Sequence, residues 1–159
     1  MKTKIALLLA TLSAAALGQG MNGYVFSAPG IVTAGSQAVG NIHIGAGVEG
    51  AIGKGIGAGL ELGAMSGTRC FPECVVGVFS PNINYHFLRG NERRADPFVT
   101  AGYTLMFRHG HANMFNFGGG MNYWVARRVG FRVELRNHVH VYNGSWFHYL
   151  GVRFGLAFR

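Results

Sequence analysis

Residues 129–138 read VGFRVELRNH, and along this stretch apolar and polar side chains alternate one by one. The apolar positions are Val129, Phe131, Val133 and Leu135, and the polar positions are Arg132, Glu134, Arg136 and His138. A repeat of two residues is typical of a β-strand, because successive side chains point to opposite faces of a sheet. The segment therefore predicts a strand with one bulky apolar face and one charged face.

The same alternation recurs in seven further runs, separated by turns rich in Gly, Asn or charge. These runs cover 23–28, 41–51, 56–64, 78–87, 99–108, 115–125 and 149–158. Asn143-Gly144 is a tight hairpin turn, and the charged segment 89–96 is expected to be a solvated turn. Pro81 lacks an N–H donor, which suggests a bulge in its strand. Eight strands, most of them about 10 to 12 residues long, fit an antiparallel barrel that crosses a membrane.

The charged residues inside these runs all lie opposite the large apolar side chains. They are Glu49, Glu61, Arg108, Arg132, Glu134, Arg136 and Arg153. A narrow eight-stranded interior takes small and polar groups, whereas bulky apolar groups fit against lipid. The sequence therefore predicts an all-β fold, a closed antiparallel eight-stranded transmembrane up-and-down barrel. Because buried charges need partners, the seven residues are expected to form a polar network that closes the lumen. A gated or selective pore built from the same charges is the alternative.

Composition excludes several other classes of protein. The 159 residues include 26 Gly and 4 Pro, with 49% hydrophobic, 13% aromatic and 13% charged side chains. Long helices are disfavoured, because each interior Gly costs about 1 kcal/mol relative to Ala. The glycines follow no three-residue period, which excludes collagen, and the aromatic content excludes a disordered chain.

Residues 1–18 have the features of a secretory signal peptide. Lys2 and Lys4 precede the apolar run 5–17, which is shorter than the roughly 20 residues of a transmembrane helix. Cleavage near Gly18 leaves 19–159 as the barrel domain and lowers the formal net charge from +8 to +6 by removing the two lysines. Export would also place Cys70 and Cys74 where disulfides persist, so a small disulfide loop is expected. Two free thiols or half of a metal site are the alternatives.

Most histidines map to the end of the barrel opposite the N-terminus. His109, His111 and His140 are rim candidates for a transition-metal site, because imidazole is a common metal ligand. Polar strand ends that happen to use His explain the same pattern, so neither a metal nor a cofactor is expected.

Four segments carry a resemblance to a known family. They are 98–103 (FVTAGY), 115–124 (FNFGGGMNYW), 128–136 (RVGFRVELR) and 151–158 (GVRFGLAF). Together they resemble the small outer-membrane β-barrel proteins of Gram-negative bacteria, the eight-stranded OmpA-like and OmpX-like group. The resemblance implies location in the outer membrane, contact with its lipid and insertion by the barrel-assembly machinery. It implies no particular activity, because one fold hosts many functions.

The expected function is a monomeric, non-enzymatic barrel with a structural, surface-interaction or ligand-binding role. Nucleic acid is not an expected partner, since Lys and Arg are scattered without an aromatic platform, and the basic excess fits anionic lipid or extracellular partners. Two alternatives stay open. One is a soluble periplasmic lipocalin-like barrel that binds a ligand in an apolar interior. The other is a lipid-modifying enzyme, for which Ser145 near His148 is the only suggestive pair.

Overall fold

The computed structural model describes residues 20–88, 94–108 and 110–159. Eight strands follow one another in the chain. They are β1 (Met21–Ala34), β2 (Gln37–Gly53), β3 (Ile56–Gly67), β4 (Val76–His86), β5 (Ala95–Phe107), β6 (His111–Trp124), β7 (Val129–Tyr142) and β8 (Ser145–Phe158). Each strand pairs antiparallel with the next, and β8 pairs with β1 to close the barrel. The predicted fold class is confirmed, whereas the predicted signal peptide lies outside the described residues.

None of the described residues forms a helix that is long and apolar enough to cross a membrane.

The pairing register sets the tilt of the strands. A path across paired residues that starts at Asn22 returns to β1 at Val32, ten residues further along the chain. Its steps are Glu49, Gly59, Asn82, Gly102, Asn116, His138 and Tyr149. Such a stagger tilts the strands by roughly 40° from the barrel axis. Strands of 11 to 17 residues then reach across a hydrocarbon layer about 30 Å thick.

The expected bulge at Pro81 is not present. Pro81 pairs with Leu60, and the β4–β5 register is the same at Phe79–Leu105 as at Asn82–Gly102. The missing N–H is therefore accommodated by a local gap in the pairing with β5, without an extra residue. In the β2–β3 pairing the register shifts between Ala51 and Gly53, next to the turn.

Two ends of the barrel are distinguished by their connections. The terminus end carries Gly20, Arg159, the turns 54–55 and 125–128, the end of β4 at His86 and the start of β5 at Ala95. The loop end carries the connections 35–36, 68–75, 108–110 and 143–144. Since most connections are only two to four residues long, most of the protein consists of barrel wall.

The two faces of the wall are inverted relative to a soluble protein. Outward side chains such as Leu62 and Ile83 are 61% and 64% exposed, whereas Arg136 and Arg153 are each 1% exposed. Polar and charged side chains outnumber apolar ones among the buried residues described. At the loop end, Met65, Val78, Met106 and Met114 form an apolar cluster inside the barrel. A second interior cluster contains Tyr24, Phe26, Ala28, Trp124 and Ala157.

Glycine permits a close approach of the closing strands at Gly155. A Cβ atom there would lie 2.1 Å from the carbonyl oxygen of Val25 on β1. We expect Gly155→Ala to lower the free energy of unfolding by about 1–3 kcal/mol, because β1 and β8 must separate to admit the methyl group. Urea titration of the folded barrel measures the change. Gly50→Ala is the control, because a Cβ at Gly50 meets nothing within 4 Å. Equal stability of the two variants would contradict the prediction.

Candidate functional site

Glu61, on β3, lies at the centre of the lumen between two arginines. Arg153 Nη1 donates hydrogen bonds to both carboxylate oxygens of Glu61, at 2.9 and 3.0 Å. Arg136 Nη2 donates to Glu61 Oε1 at 3.2 Å, and the Tyr24 hydroxyl donates to the same oxygen at 2.7 Å. All four side chains are buried. Glu61 thus joins β1, β3, β7 and β8 across the interior.

Glu134 is the second acceptor of the central network. Arg132 donates to Glu134 Oε2 from Nε and Nη2, at 3.2 and 2.9 Å, and Arg136 Nε donates to Oε1. Arg153 Nη1 lies 3.6 Å from Glu134 Oε1. Arg136 and Arg153 therefore each contact both glutamates, so the interior charges form one connected cluster instead of isolated pairs.

A histidine bridges two further acids toward the terminus end. His86 Nε2 lies 2.6 Å from Glu49 Oε1, and His86 Nδ1 lies 2.9 Å from Asp96 Oδ1. Ionised carboxylates only accept hydrogen bonds, so the imidazole donates from both nitrogens and carries a positive charge. Asn122 Nδ2 donates to Asp96 at 3.3 Å, and its Oδ1 accepts from Arg132 at 3.2 Å. This second cluster is thereby joined to the central network.

The described lumen is electrically balanced. Its carboxylates are Glu49, Glu61, Asp96 and Glu134, and its cations are Arg132, Arg136, Arg153 and the doubly donating His86. Desolvating an ion is costly unless opposite charges and hydrogen bonds compensate it. Four negative groups matched by four positive groups satisfy that condition inside a closed wall.

Aromatic rings cover the flat faces of these arginines. The Arg132 guanidinium carbon lies 4.2 Å from the Tyr24 ring centroid and 4.0 Å from that of Phe98. Arg153 lies 4.2 Å from the centroid of Phe26. Cations stack favourably on ring faces, and the effect is larger where water is excluded. The rings therefore occupy the lumen and stabilise the guanidinium groups through their flat faces. The carboxylates contact the same guanidinium groups at their N–H edges.

Neutral polar groups extend the network toward the loop end. Arg136 Nη1 donates to Asn116 Oδ1 at 2.8 Å, and Asn116 Nδ2 donates to Thr104 Oγ1 at 2.9 Å. Thr104 Oγ1 lies 3.0 Å from His138 Nδ1, while Arg153 Nη2 donates to His138 Nε2 at 3.4 Å. Since Nε2 accepts, Nδ1 carries the proton and donates to the threonine.

A small cavity lies beneath the methionine cluster. Its volume is about 10 Å³, which is the size of a single water molecule. It is lined by Ala28, Asn41, His43, Met65, Arg136, His138, Tyr149, Gly151 and Arg153. This part of the lumen therefore has room for about one water molecule.

Solved structures provide the comparison with known proteins. Neisserial surface protein A superposes with a TM-score of 0.68 at 10% sequence identity, over 88% of this chain and 97% of that protein. The N-terminal barrel domain of Pseudomonas aeruginosa OprF gives 0.55 at 19% identity, over 86% and 99%. A de novo designed transmembrane β-barrel gives 0.54 at 14% identity, over 87% and 93%. No protein-family model and no curated protein sequence matches the chain.

The chain has the fold of the small eight-stranded outer-membrane barrels. The resemblance inferred from sequence is therefore confirmed for the fold. A designed barrel shares the same architecture, and one fold hosts many functions, so this outer-membrane barrel fold does not by itself indicate an activity.

The outer-membrane barrel fold brings most of the predicted lumen residues together. Glu61, Arg132, Glu134, Arg136 and Arg153 contact one another as described above. Glu49 is also inside, but its partner is a histidine instead of an arginine.

Arg108 was wrongly predicted to lie in the lumen network. The alternation placed it at the end of a strand, whereas β5 ends at Phe107 and Arg108 is exposed. Its Nη1 donates to the carbonyl oxygen of Val75 in the loop after β3. The period-two pattern cannot locate the end of a strand, and this side chain lies just beyond it.

Asp96 is the charged lumen residue that sequence reasoning missed. The run 89–96 was expected to be a solvated turn, but β5 already begins at Ala95, and Asp96 is buried beside His86. Residues 89–93 lie outside the described part of the chain. Counting the alternation back from Val99 places Asp96 on the same face as Thr100, which is the signal that could have found it.

The rim histidines do not assemble into a site in the described structure. His109 lies outside the described residues, and His111 is exposed. His140 Nδ1 donates to the carbonyl oxygen of Asn113 at 2.8 Å, and its ring stacks on that of Tyr142. The described residues contain no group of three or more His, Cys, Asp or Glu side chains that could hold a metal ion. His43 and His138 are buried in the lumen.

The predicted disulfide between Cys70 and Cys74 forms, with the two Cα atoms 5.5 Å apart. The loop that it closes is attached to the barrel at both ends. Thr68 N donates to Gly40 O at 2.9 Å, and Arg108 holds Val75 as described above. Phe71 at the tip of the loop is 67% exposed. Hydrogen bonds therefore attach both ends of the loop to the barrel, while the apolar side chain of Phe71 is exposed to solvent.

The pair suggested for a lipid-modifying enzyme is not formed. His148 Nδ1 accepts a hydrogen bond from Asn137 Nδ2 at 3.0 Å, and within the described residues no hydrogen bond joins His148 to Ser145. Ser145 lies in the tight β7–β8 hairpin, opposite Tyr142.

Proposed function

We propose that this chain is an integral β-barrel of the outer membrane, with a lumen closed by its ion-paired network and a structural or surface-interaction role. The observation that carries the proposal is the inversion of the wall, with an apolar exterior around a charge-balanced interior. A soluble lipocalin-like barrel has the opposite arrangement, with apolar groups inside and charges in water. Only a hydrocarbon surrounding makes exposure of so many large apolar groups favourable.

Closure of the lumen argues against transport of solutes. An eight-stranded barrel is just wide enough to be filled by side chains, and here ion-paired arginines with stacked aromatics occupy its centre. The methionine cluster covers the network at the loop end, and Trp124 lies inside the terminus end with Arg159 stacked 4.1 Å from its ring centroid.

A surface-interaction role is favoured by the disulfide-closed loop. It belongs to the connection 68–75, which at eight residues is the longest at the loop end and whose base is fixed to β2 and β5. A rigid loop that displays an exposed phenylalanine loses little conformational entropy on binding a partner. On this proposal the protein is a monomer that is inserted by the barrel-assembly machinery and surrounded by outer-membrane lipid.

Membrane fractionation with heat-modifiable gel mobility tests the location. We expect the expressed protein to sediment with outer membranes and to migrate faster unheated than boiled, because a folded barrel resists detergent without heat. A periplasmic marker released by osmotic shock is the control. Release of this chain together with that marker would refute the proposal.

Planar-bilayer recording tests the closed lumen. The reconstituted protein should show no steady conductance steps, since ion-paired arginines and stacked aromatic rings occupy the centre of its lumen. A general porin reconstituted in the same bilayers is the positive control. Reproducible open steps from the natural sequence would assign the charged lumen to a pore instead.

A further inference from the structure

Among the residues that the structure describes, the positive charge of the barrel surface is concentrated at one end. At the terminus end, Lys54, Arg94, Arg127 and Arg128 are exposed. We call these four residues the cationic rim. The acids of this end that the structure describes, Glu49 and Asp96, face inward and contact His86. At the loop end the described charged residues are Arg69, Arg108 and Glu73, which sum to a single positive charge.

The cationic rim lies next to an outward ring of aromatic side chains. Tyr123 pairs with Phe131 just before the turn that carries Arg127 and Arg128. Tyr85 pairs with Ile56 just after the turn that carries Lys54. Aromatic side chains in this position mark the boundary between hydrocarbon and headgroups. The rim is therefore at the height of the lipid phosphates.

The cations are distributed around the barrel instead of converging. Lys54 lies between β2 and β3, Arg94 precedes β5, and Arg127 and Arg128 lie between β6 and β7. A single small polyanion would need its cations on one side of the barrel. Positive groups spaced around the circumference instead match a layer of singly charged headgroups that encloses the barrel.

We propose that the cationic rim binds the headgroups of anionic phospholipid in the leaflet around the terminus end, an inference that rests on the proposed membrane location. The chemistry is charge pairing of guanidinium and ammonium groups with phosphodiesters, for which arginine has a matching geometry. An anionic membrane surface attracts each adjacent Lys or Arg with an effect of about fivefold in affinity.

Native mass spectrometry of the folded barrel tests this inference. The protein is released from detergent micelles doped with equal amounts of phosphatidylglycerol and phosphatidylcholine of identical acyl chains. We expect phosphatidylglycerol to be retained preferentially, and Arg127→Gln/Arg128→Gln to reduce the number of retained phosphatidylglycerol molecules by roughly half, because two of the four rim cations are lost. Arg69→Gln/Arg108→Gln is the charge-matched control at the loop end, and it should retain phosphatidylglycerol as the natural sequence does.

The results separate this inference from the proposed function. Heat-modifiable mobility in phosphatidylcholine vesicles first establishes that each variant is folded in a membrane. Failure of the natural sequence to fold there would refute the membrane location itself. Folding with equal retention of the two lipids, or equal losses in the two double variants, would overturn only the binding of anionic headgroups by the rim.

Discussion

Glu61→Gln is expected to lower the free energy of unfolding by about 3–5 kcal/mol, the usual cost of removing one partner from a buried ion pair. The carboxylate accepts hydrogen bonds from Arg136, Arg153 and Tyr24, and all four groups are buried. The amide keeps the shape of the side chain but leaves one uncompensated positive charge inside the barrel. Equilibrium urea unfolding in vesicles, followed by gel mobility, measures the change.

Glu73→Gln is the matched control for the Glu61 variant. It removes the same charge from an exposed position in the disulfide-closed loop, so we expect stability within about 0.5 kcal/mol of the natural sequence. A loss of less than 1 kcal/mol for Glu61→Gln would mean that the central network contributes little to stability.

Leu62→Arg is expected to prevent or strongly impair insertion into a bilayer. Leu62 points outward near the middle of β3, where it pairs with Ala46 on β2 and with Phe79 on β4. Its side chain is 61% exposed. Arginine at the midplane on the lipid face of a barrel costs about 2–4 kcal/mol. The measurement is the yield of heat-modifiable protein after folding into phosphatidylcholine vesicles.

Ile52→Arg is the control for depth in the membrane. Ile52 is also outward and exposed, but it lies beside the β2–β3 turn, where the cost falls to roughly 0–1 kcal/mol. Normal insertion of both variants would contradict a lipid-facing wall. A barrel in water would gain solubility from either arginine, so the sign of the effect distinguishes the two surroundings.

The fold was predictable because apolar and polar residues alternate along each strand, and the two faces of the wall differ in the same way, with apolar groups outside and polar groups in the lumen. Leu62 and Glu61 are neighbours in sequence with opposite exposures, and this contrast repeats along β7 and β8. Which charges meet was not predictable. Glu61 contacts Arg153, 92 residues away, only because a ten-residue stagger of the closed sheet brings β3 and β8 to the same height.

The interior aromatics show a second limit of the pattern. Bulky rings were expected against lipid, yet Tyr24, Phe26 and Phe98 lie inside, where they stack on guanidinium groups. Hydropathy treats such rings as apolar and gives no sign of their attraction to a cation. The ends of strands could not be predicted either. Arg108 continues the polar alternation of β5 although it lies one residue beyond the end of the strand.

The long separation between ionic partners constrains how the barrel assembles. Glu61 meets Arg136 and Arg153 across 75 and 92 residues of chain, so its charge is neutralised only when β3, β7 and β8 belong to one sheet. A partly formed sheet in hydrocarbon would hold unpaired ions as well as unpaired backbone edges. We therefore expect β3 to enter the hydrocarbon together with β7 and β8, since Glu61 would otherwise enter it unpaired. The pairing of β1 with β8 joins the most distant segments of the sheet, and contacts of such long range slow folding.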